Sequence, residues 1–382
     1  MHGNIRRLVA ILLAGFLLVG LTAGYWQIVR APELLSRADN PRLVIAEQRV
    51  QRGRILDRNG VVLAYSRVHE DGTTERVYTH PEMVHVTGFY NLRYGVSNIE
   101  AAYDDVLRGL SGRSAMQVLV DGLLHRPQIG FDVMLTVDAE LQAVADAALG
   151  DRRGAIIVLD PRTGDILALV SHPAYDPNHL DEAWEILRDA PDTPLLNRAT
   201  QGLYPPGEEL EGLGEVMGIG EVGGIEGLEE IGELGELMGM VTPLQMALVT
   251  TAVANGGQVP AAHLVQAVQD GSGRWREPAR VAPRAVLSPS TADRLRAAMI
   301  LTAEEGCAGE VALPGITVAE KTGTAQVDEP GQLPHAWFVG FAPAETPEVV
   351  IAVLVENGGD GERMAAPIAR EVLERVLRSS GF

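Results

Sequence analysis

The sequence contains almost no lysine, since Lys321 is the only one among 31 basic residues in a chain of 382. Cysteine is as rare. Cys307 stands alone, which excludes an intramolecular disulfide and a cysteine-based zinc cluster. Positive charge is also scarce, because 51 acidic residues give a net charge of −20. This balance argues against nucleic acid as a partner, because phosphate-binding surfaces are basic.

Metal-ligand patterns are missing as well. The nine histidines show no H-x-x-x-H or related spacing, so neither a metal nor another cofactor is predicted. Apolar residues are plentiful, at 46% of the chain, and the length suggests two or three domains at about 150 residues each. We therefore expect folded domains with apolar cores, and full disorder is excluded.

The first 30 residues are typical of a membrane anchor. No charged residue occurs from Leu8 to Trp26, and as a helix this stretch would extend roughly 28 Å, the thickness of a bilayer core. Arg6 and Arg7 precede it, so the positive-inside rule places the N-terminus in the cytoplasm and the bulk of the chain outside the cell membrane. The alternative is a signal peptide cleaved near residues 22–24, although its apolar region is usually only about 7 to 15 residues long.

Residues 31–136 are predicted to form a small, loop-rich first domain. Asn59-Gly60 lies between apolar runs within residues 52–64, and this dipeptide is a strong hairpin signal because both residues tolerate positive φ. Residues 98–107 have helical spacing, and Gly109 follows as a C-terminal cap. A hairpin therefore opens this domain, and a helix comes later.

Residues 137–382 are predicted to form a second domain of the α+β class. It opens with a helix over 138–149, capped by Asp138, and with two hairpin strands over 154–160 and 165–170. Strands at both ends of a domain imply a mainly antiparallel sheet that is assembled from distant segments and flanked by helices. The C-terminal part supplies the remaining elements: strands over 321–327, 336–341 and 349–355, and an amphipathic closing helix over 365–377.

The segment from Glu208 to Met240 has an unusual composition. Its 33 residues include ten Glu and ten Gly and no basic residue, so it carries half of the net charge. Dense glycine and closely spaced like charges both oppose a stable helix. We expect this Glu/Gly segment to be of low complexity and poorly ordered.

Several separate motifs resemble class B penicillin-binding proteins, the bitopic D,D-transpeptidases of peptidoglycan synthesis. The first domain resembles the family's non-catalytic pedestal, or dimerisation domain, at residues 52–60 and at Glu100. Asn98 stands where the family pattern usually has glycine, and Asn also reaches positive φ. The second domain resembles a truncated penicillin-binding domain, through residues 135–142, 154–161, 241–247 and 252–257.

The chemistry of this family needs three motifs in one cleft: Ser-x-x-Lys, Ser-x-Asn and Lys-Thr-Gly. Lys321, Thr322, Gly323 and Thr324 match the third motif. The resemblance implies that the lysine and the hydroxyls attract the terminal carboxylate of the substrate, and that the Thr324 N–H is an oxyanion donor. The glycine would let a ligand approach the strand edge. Glu320 replaces the family's usual glycine, and we expect it to place a carboxylate beside Lys321.

The other two motifs are absent from the sequence. Val318 stands three residues before the only lysine, and none of the serines has Asn two residues later. In the family, Tyr-Pro-Pro-Gly leads into the nucleophile, whereas here residues 204–207 lead into Glu208, and Glu211 takes the lysine position. A carboxylate could attack an acyl donor only through a mixed anhydride, so no turnover is expected.

Three functions stay open at this point. The chain is a cell-wall synthesis homologue without catalysis, an active transpeptidase whose site is altered or whose sequence is damaged, or a scaffold that acts through the pedestal. The expected partners are the peptidoglycan stem peptide or a β-lactam, the membrane, and other cell-wall synthesis proteins. Ser171 precedes His172, but it has no spaced Asp or Lys, so a role in the strand-end turn is favoured over catalysis.

Overall fold

The structure is a computed structural model of the chain, and it describes residues 2–25, 45, 47–112, 127–207, 210, 225–226, 239–305, 311, 313–327 and 331–379. Glu208, Glu211 and most of the Glu/Gly segment lie outside the described residues. The predicted lack of order in that segment therefore stays a prediction.

The described helices vary widely in length. Short 3-10 turns at Pro81–Met83 and Pro177–His179 lead directly into two of them. Among the described helices, none is both long enough and apolar enough to cross a bilayer. The helices are α1 (His2–Gly24), α2 (Val84–Thr87), α3 (Asn98–Ala102), α4 (Asp104–Leu107), α5 (Ala139–Leu149), α6 (Leu180–Asp189), α7 (Pro243–Ala254), α8 (Pro289–Glu305) and α9 (Gly361–Ser379).

The described strands are β1 (Ile55–Leu56), β2 (Val62–Val68), β3 (Thr74–Tyr78), β4 (Tyr90–Asn91), β5 (Gly95–Val96), β6 (Val133–Leu135), β7 (Gly154–Leu159), β8 (Ile166–His172), β9 (Ile225–Glu226), β10 (Gln258–Val259), β11 (Ala262–His263), β12 (Val265–Gln269), β13 (Trp275–Arg276), β14 (Arg284–Ala285), β15 (Ala319–Ala325), β16 (His335–Ala342) and β17 (Val349–Val355). Two sheets are the largest. One has six strands in the order β13-β12-β6-β1-β2-β3, and the other has five in the order β15-β16-β17-β7-β8.

The six-stranded sheet contains the predicted hairpin. Strands β1 and β2 pair antiparallel, and Gly60 between them has φ +86°, which confirms that prediction. Strand β6 joins β1 in parallel, and β12 pairs antiparallel with β6. Strands from the second predicted domain thus extend a sheet of the first. The sequence patterns did not predict this crossing, because local periodicity carries no information about partners so distant in the chain.

The predicted helix over residues 98–107 is present but divided. It consists of α3 and α4, which are separated by Tyr103 in a non-helical conformation. Asn98 has φ +47°, and its side-chain amide donates hydrogen bonds to the main-chain oxygens of Val84 and His85, at 3.3 and 3.2 Å. Asn98 therefore adopts the left-handed conformation that was expected where the family pattern has glycine.

A buried carboxylate holds the first domain together. Glu100 is fully buried and accepts hydrogen bonds from Arg52 Nε at 2.9 Å and Arg76 Nε at 2.6 Å. The Tyr78 hydroxyl donates to the same carboxylate at 3.2 Å. Since two arginines and a phenol surround it, this charge is well compensated in an environment where an isolated charge would be costly.

The two predicted domains meet at the start of α5. The Asp138 side chain accepts from the N–H groups of Glu140 and Leu141, so it is the N-cap that the sequence predicted. Asp57, in the hairpin turn, accepts from Asn59 N–H and from Ala139 N–H. One carboxylate therefore stabilises both the turn and the N-terminus of the helix.

The five-stranded sheet is antiparallel throughout and separates two apolar layers. Strands β7 and β8 form the predicted hairpin, and β15, β16 and β17 come from the C-terminal part, as expected. Helix α7 packs on one face, and α5 and α9 pack on the other. Helix α7 is buried along its whole length, as its mainly apolar sequence requires, and its Thr250 and Thr251 hydroxyls donate to main-chain oxygens of the same helix. The α+β class with an antiparallel sheet and flanking helices is confirmed.

Candidate active site

The four predicted site residues lie on β15, which is an edge strand of the five-stranded sheet. Lys321, Thr322 and Thr324 are half-buried, whereas Gly323 is buried. On one side β15 pairs with β16, where Gly323 lies opposite Trp337. The other side of the strand is the edge of the sheet.

Residues 204–207 pass over Gly323, and we call this segment the strap (Tyr204-Pro205-Pro206-Gly207). A Cβ atom on Gly323 would lie 2.9 Å from the carbonyl oxygen of Pro206 and 2.9 Å from Leu210 Cδ1. Glycine at this position therefore allows the strap to approach the strand. Lys321 projects from the same face of β15, because it precedes Gly323 by two residues.

The side chain of Thr324 points to the face of the sheet opposite the strap. Its main-chain groups point to the edge of the sheet. Its hydroxyl accepts from the N–H of Gly361, the first residue of α9, at 3.4 Å. An ideal Cβ on Gly361 would lie within 3.2 Å of Gly323 N, Gly323 O and Trp337 O, so these atoms share one ring between β15 and β16. We infer that Gly323 and Trp337 form a hydrogen-bonded pair, which turns the main-chain groups of Thr324 toward the edge.

The strap is held by main-chain and indole hydrogen bonds. Trp337 is fully buried, and its indole N–H donates to the carbonyl oxygen of Pro205 at 2.9 Å. Tyr204 and Val241 exchange two main-chain hydrogen bonds, of 3.0 and 2.9 Å. Gly207 has φ +84°, and a Cβ there would lie 3.1 Å from Thr324 O. Glycine at 207 thus meets both a conformational and a steric requirement.

A buried carboxylate fixes the first residue of the strap. The Tyr204 hydroxyl donates to Glu356 Oε1 at 2.7 Å, and Arg198 Nε donates to the same oxygen at 2.7 Å. Arg153 contacts the other oxygen of Glu356 at 2.8 Å. Burial, followed by the negative charge of Glu356, raises the pKa of Tyr204, so this phenol stays protonated and donates.

His335 packs beside this cluster. Its ring meets the Tyr204 ring edge-on, with centroids 5.4 Å apart, and its Nδ1 accepts the N–H of Asn357 at 3.1 Å. Burial lowers the pKa of His335 and outweighs the opposing effect of Glu356. The neutral imidazole that accepts through Nδ1 is therefore the favoured form.

The structure describes only part of the segment in which the family has its nucleophile. Glu208 and Glu211 lie outside the described residues, but Leu210 is described. Leu210 is fully buried, and its N–H donates to the carbonyl oxygen of Gly207 at 3.0 Å. The chain on either side of Glu208 is thus anchored against β15, at Gly207 and at Leu210.

Glu320 does not place its carboxylate beside the amine of Lys321, contrary to expectation. Successive side chains of a strand point to opposite faces, so Glu320 projects to the other side of β15, where it is 1% exposed. Within the part of the chain that the structure describes, no hydrogen bond or ion pair involves the Lys321 side chain.

Ser171 lies on β8, at the opposite end of the five-stranded sheet from β15. It is 2% exposed, its hydroxyl donates to Leu196 O at 3.4 Å, and it accepts from the N–H of Arg198 at 2.8 Å. These contacts support a structural role. Among the described residues, no group of three or more His, Cys, Asp and Glu side chains could hold a metal ion.

The sequence analysis missed the cluster of Glu356, Arg198 and Arg153. Each of these residues lies just outside a buried strand or in a loop, where a charged residue is ordinarily solvated. A signal was present in hindsight, because Arg198 lies six residues before the recognised Tyr-Pro-Pro-Gly motif. Nothing in the sequence, however, joins it to Glu356, which is more than 150 residues away.

Comparisons with known proteins agree with the geometry of this site. The penicillin-binding protein transpeptidase domain matches residues 154–207 and 211–374, and the penicillin-binding protein A dimerisation domain matches residues 52–133. The fold and the family match define a penicillin-binding protein transpeptidase domain. The chain belongs to the class B penicillin-binding protein family.

Individual relatives span the chain. The peptidoglycan D,D-transpeptidase PbpA of Mycobacterium tuberculosis is 31% identical over 496 positions, which cover 99% of each chain. The D,D-transpeptidase MrdA of Acinetobacter baumannii is 28% identical and covers 74% of this chain and 60% of its own. A ceftriaxone acyl-enzyme structure of penicillin-binding protein A from M. tuberculosis superposes with a TM-score of 0.77 at 29% identity, covering 87% of this chain and 99% of that one.

The alignments also show how this chain departs from its relatives. The PbpA alignment has 496 positions and this chain has 382 residues, so at least 114 positions (496 − 382) have no residue here. The match to the transpeptidase domain is interrupted between Gly207 and Glu211, where the nucleophile motif was expected.

Proposed function

We propose that this penicillin-binding protein homologue binds the peptidoglycan stem peptide, or a β-lactam that mimics it, non-covalently along β15, and that it is catalytically impaired. One observation carries the proposal. The edge strand presents Lys321 and two half-buried threonines, while Glu208 stands at the sequence position of the nucleophile.

The chemistry of the edge suits a peptide that ends in a carboxylate. Lys321 supplies a positive charge without an ion-pair partner among the described residues, on the face of β15 that the strap crosses. An edge strand can also pair with an extended peptide through its main-chain groups. We therefore assign carboxylate binding to Lys321, close approach to Gly323 and main-chain hydrogen bonding to Thr324, whereas the side chain of Thr322 projects to the opposite face of the strand.

Impaired catalysis is supported by the sequence around position 208. Acylation needs a nucleophile with an adjacent base, and the chain has neither Ser-x-x-Lys nor Ser-x-Asn.

Labelling with a fluorescent penicillin tests this proposal. We expect no covalently labelled band after denaturing electrophoresis, and we expect weak binding of the same reagent in solution by fluorescence anisotropy. Lys321→Ala should abolish that binding, whereas Arg280→Ala, at an exposed arginine of a distant loop, should not. A labelled band that mass spectrometry maps to a serine would instead support an active transpeptidase with an altered site.

We further propose a domain arrangement with an anchor at residues 1–30, a pedestal at 31–136 and a transpeptidase-like domain at 137–382. The uncharged stretch from Leu8 to Trp26 supports a single-pass anchor with the N-terminus in the cytoplasm. Protease protection of the N-terminus in intact cells, with the pedestal accessible from outside, is the expected result.

A second candidate function is a non-enzymatic scaffold that acts through the pedestal. The compensated carboxylate of Glu100 favours it, because this carboxylate keeps its three donors while the nucleophile motif is missing. Disrupting the pedestal with Arg76→Leu should then impair cell-wall growth, whereas Lys321→Ala should leave it unchanged.

A further inference from the structure

The Glu356 cluster lies next to the candidate site without being part of the Lys-Thr-Gly motif. Its carboxylate follows directly after β17 and its side chain is 8% exposed. Three side chains donate to it: Tyr204 and Arg198 to one oxygen, and Arg153 to the other. A buried carboxylate with so many donors is held in one orientation.

Arg198 is itself immobilised, which fixes the geometry of the cluster. It is fully buried, and its remaining nitrogens donate to Asp192 O at 2.7 Å and to Thr193 O at 3.1 Å. Both acceptors belong to the loop that follows α6. Because the guanidinium cannot rotate without losing these bonds, it presents Nε to Glu356 at a set place, and Glu356 in turn presents Oε1 to Tyr204.

The strap depends on that single phenol contact for its first side-chain anchor. Beyond Tyr204, the indole of Trp337 holds Pro205, and the next two residues lie against Gly323 and Thr324. The position of the strap decides how much of the β15 edge a ligand can reach. A shift of the strap would therefore change the shape of the site without any change in β15 itself.

We propose that Glu356 is a positioning residue, which holds the strap against Gly323 and Thr324 through the hydroxyl of Tyr204 and so sets the shape of the ligand-binding edge. The proposal deepens the proposed function where it concerns ligand binding. Its core, that Glu356 places the strap, stands on geometry alone and is tested without a ligand.

The variant Tyr204→Phe removes one hydroxyl and keeps the ring against His335 and Trp337. The matched control is Tyr175→Phe, because Tyr175 is also largely buried and touches His85 and Phe89 rather than the strap. Hydrogen exchange of the full chain is the readout. The Leu210 and Val241 amides, which bond to Gly207 and Tyr204, should exchange about tenfold faster in Tyr204→Phe, as expected for the loss of one hydrogen bond.

Amides of β16 and β17 should exchange at the wild-type rate in both variants, and Tyr175→Phe should leave the strap unchanged. Glu356→Gln is the second variant. It keeps an acceptor for the phenol but loses the charge that holds Arg198, so we expect strap exchange between that of the wild type and that of Tyr204→Phe. Unchanged strap exchange in Tyr204→Phe would overturn the proposal. Global unfolding of both variants would also overturn it, since Glu356 would then serve stability alone.

A second measurement separates this inference from the proposed function. A peptide that ends in D-alanyl-D-alanine is titrated against each variant by calorimetry, and we expect about tenfold weaker binding for Tyr204→Phe than for Tyr175→Phe. If the wild type does not bind the peptide, the proposed function fails while the exchange result still decides the role of Glu356. If the wild type binds the peptide and Tyr204→Phe binds it as tightly as Tyr175→Phe does, the proposal that Glu356 sets the shape of the ligand-binding edge is wrong.

Discussion

The two edge strands of the five-stranded sheet, β8 and β15, differ in how their unpaired main-chain groups are covered. At the β8 edge, the Gln142 side chain donates to Leu169 O at 2.7 Å and accepts from Leu169 N–H at 2.8 Å, so one amide mimics a neighbouring strand. The Thr136 hydroxyl donates to Ile166 O at 2.8 Å. The β15 edge instead carries three half-buried polar residues, Lys321, Thr322 and Thr324.

The β8 edge is protected from association with other chains, whereas the β15 edge is the one for which we propose ligand binding. Unpaired edge strands invite association with other chains, and covering them with side chains removes that hazard. The β8 edge is covered in this way and is buried. The β15 edge, on which we propose that the ligand binds, is approached by the strap near Gly323 and Thr324, and helix α8 packs against the same strand. One sheet thus combines a closed edge with the edge on which we propose that the ligand is recognised.

Opening the closed edge should have the largest effect on stability. Gln142→Ala leaves both main-chain groups of Leu169 buried without partners, at a cost of about 2 to 5 kcal/mol in the free energy of unfolding. Urea denaturation measures this loss. The control is Gln258→Ala, at an exposed glutamine, which should change the free energy by less than about 0.5 kcal/mol. Equal effects would show that the Gln142 amide does not seal the edge.

Adding a methyl group at Gly323, on the β15 edge, should lower stability by less than Gln142→Ala does. It should, however, clearly weaken ligand binding. In Gly323→Ala, the new methyl group would meet Pro206 O and Leu210, so the strap must move, at about 1 to 3 kcal/mol. Gly271→Ala is the control, since its nearest atom would lie at an ordinary 3.5 Å. Thermal unfolding and penicillin anisotropy are the measurements. A Gly323→Ala protein that binds as well as the control would exclude Gly323 from the site.

His172, on the edge strand β8, and His335, on β16 beside the other edge strand, should titrate on opposite sides of pH 6.5. Burial lowers the pKa of His172, but the hydrogen bond and charge of Asp146 raise it by more. Burial lowers the pKa of His335. On acidification, His172 should therefore take up its proton above pH 6.5 and His335 below it. Proton NMR titration, with His172→Gln and His335→Gln to assign the signals, measures the order, and a reversed order would contradict both environments.

These directions also fix the pH dependence of stability. The folded pKa of His172 is raised, so its contribution is complete below pH 6.5 and is lost as the pH rises through the folded value. The folded pKa of His335 is lowered, so its contribution is complete above pH 6.5 and is lost as the pH falls through the folded value. Urea denaturation midpoints of His172→Gln and His335→Gln, measured from pH 5 to pH 8 and compared with those of the wild type, test both directions of the pH dependence.

Supplying a nucleophile near the β15 edge should have the smallest effect, which is measured as acylation by penicillin. Glu208→Ser with Glu211→Lys recreates Ser-x-x-Lys in sequence, yet we expect no rapid acylation by penicillin. The Ser-x-Asn motif is still missing, and Gly212 and Gly214 oppose the helix that must aim the serine. Oriented attack can account for about 7 to 11 kcal/mol of a barrier, and this variant would lack it.

Intact-mass measurement after hours with excess penicillin is the test of the double variant. The single variant Glu208→Ser is the control, because it supplies the hydroxyl without the lysine. Rapid stoichiometric acylation of the double variant alone would mean that the cleft is already assembled and that only the two side chains are missing.

Local chemistry predicted much of this fold. The Asp138 cap, the Asn59-Gly60 hairpin and the left-handed Asn98 follow from short-range preferences, and each is present. The division of the helix at Tyr103 was not predicted, because the spacing of apolar residues stays helical across it. The site strand was located through its motif, although its exact end was set two residues too late.

Long-range contacts could not be predicted in the same way. The addition of β12 to the first sheet, the closure of the β8 edge by Gln142, and the pairing of Glu356 with Arg198 each join residues far apart in sequence. Polar residues at these positions have the same local pattern as solvated ones. Their roles depend on burial, which arises only once the whole domain has folded.

The single lysine turns the accessible edge into a site for selective chemistry. Because Lys321 carries the only ε-amine in the sequence, an amine-reactive ester can modify just one side chain, and that side chain lies on β15. Arginine, which supplies every other basic side chain, stays protonated and does not react under the same conditions. Acylation removes the positive charge of the Lys321 amine, so the modified protein should lose the proposed carboxylate site, and a ligand bound at the edge should in turn slow the modification of Lys321.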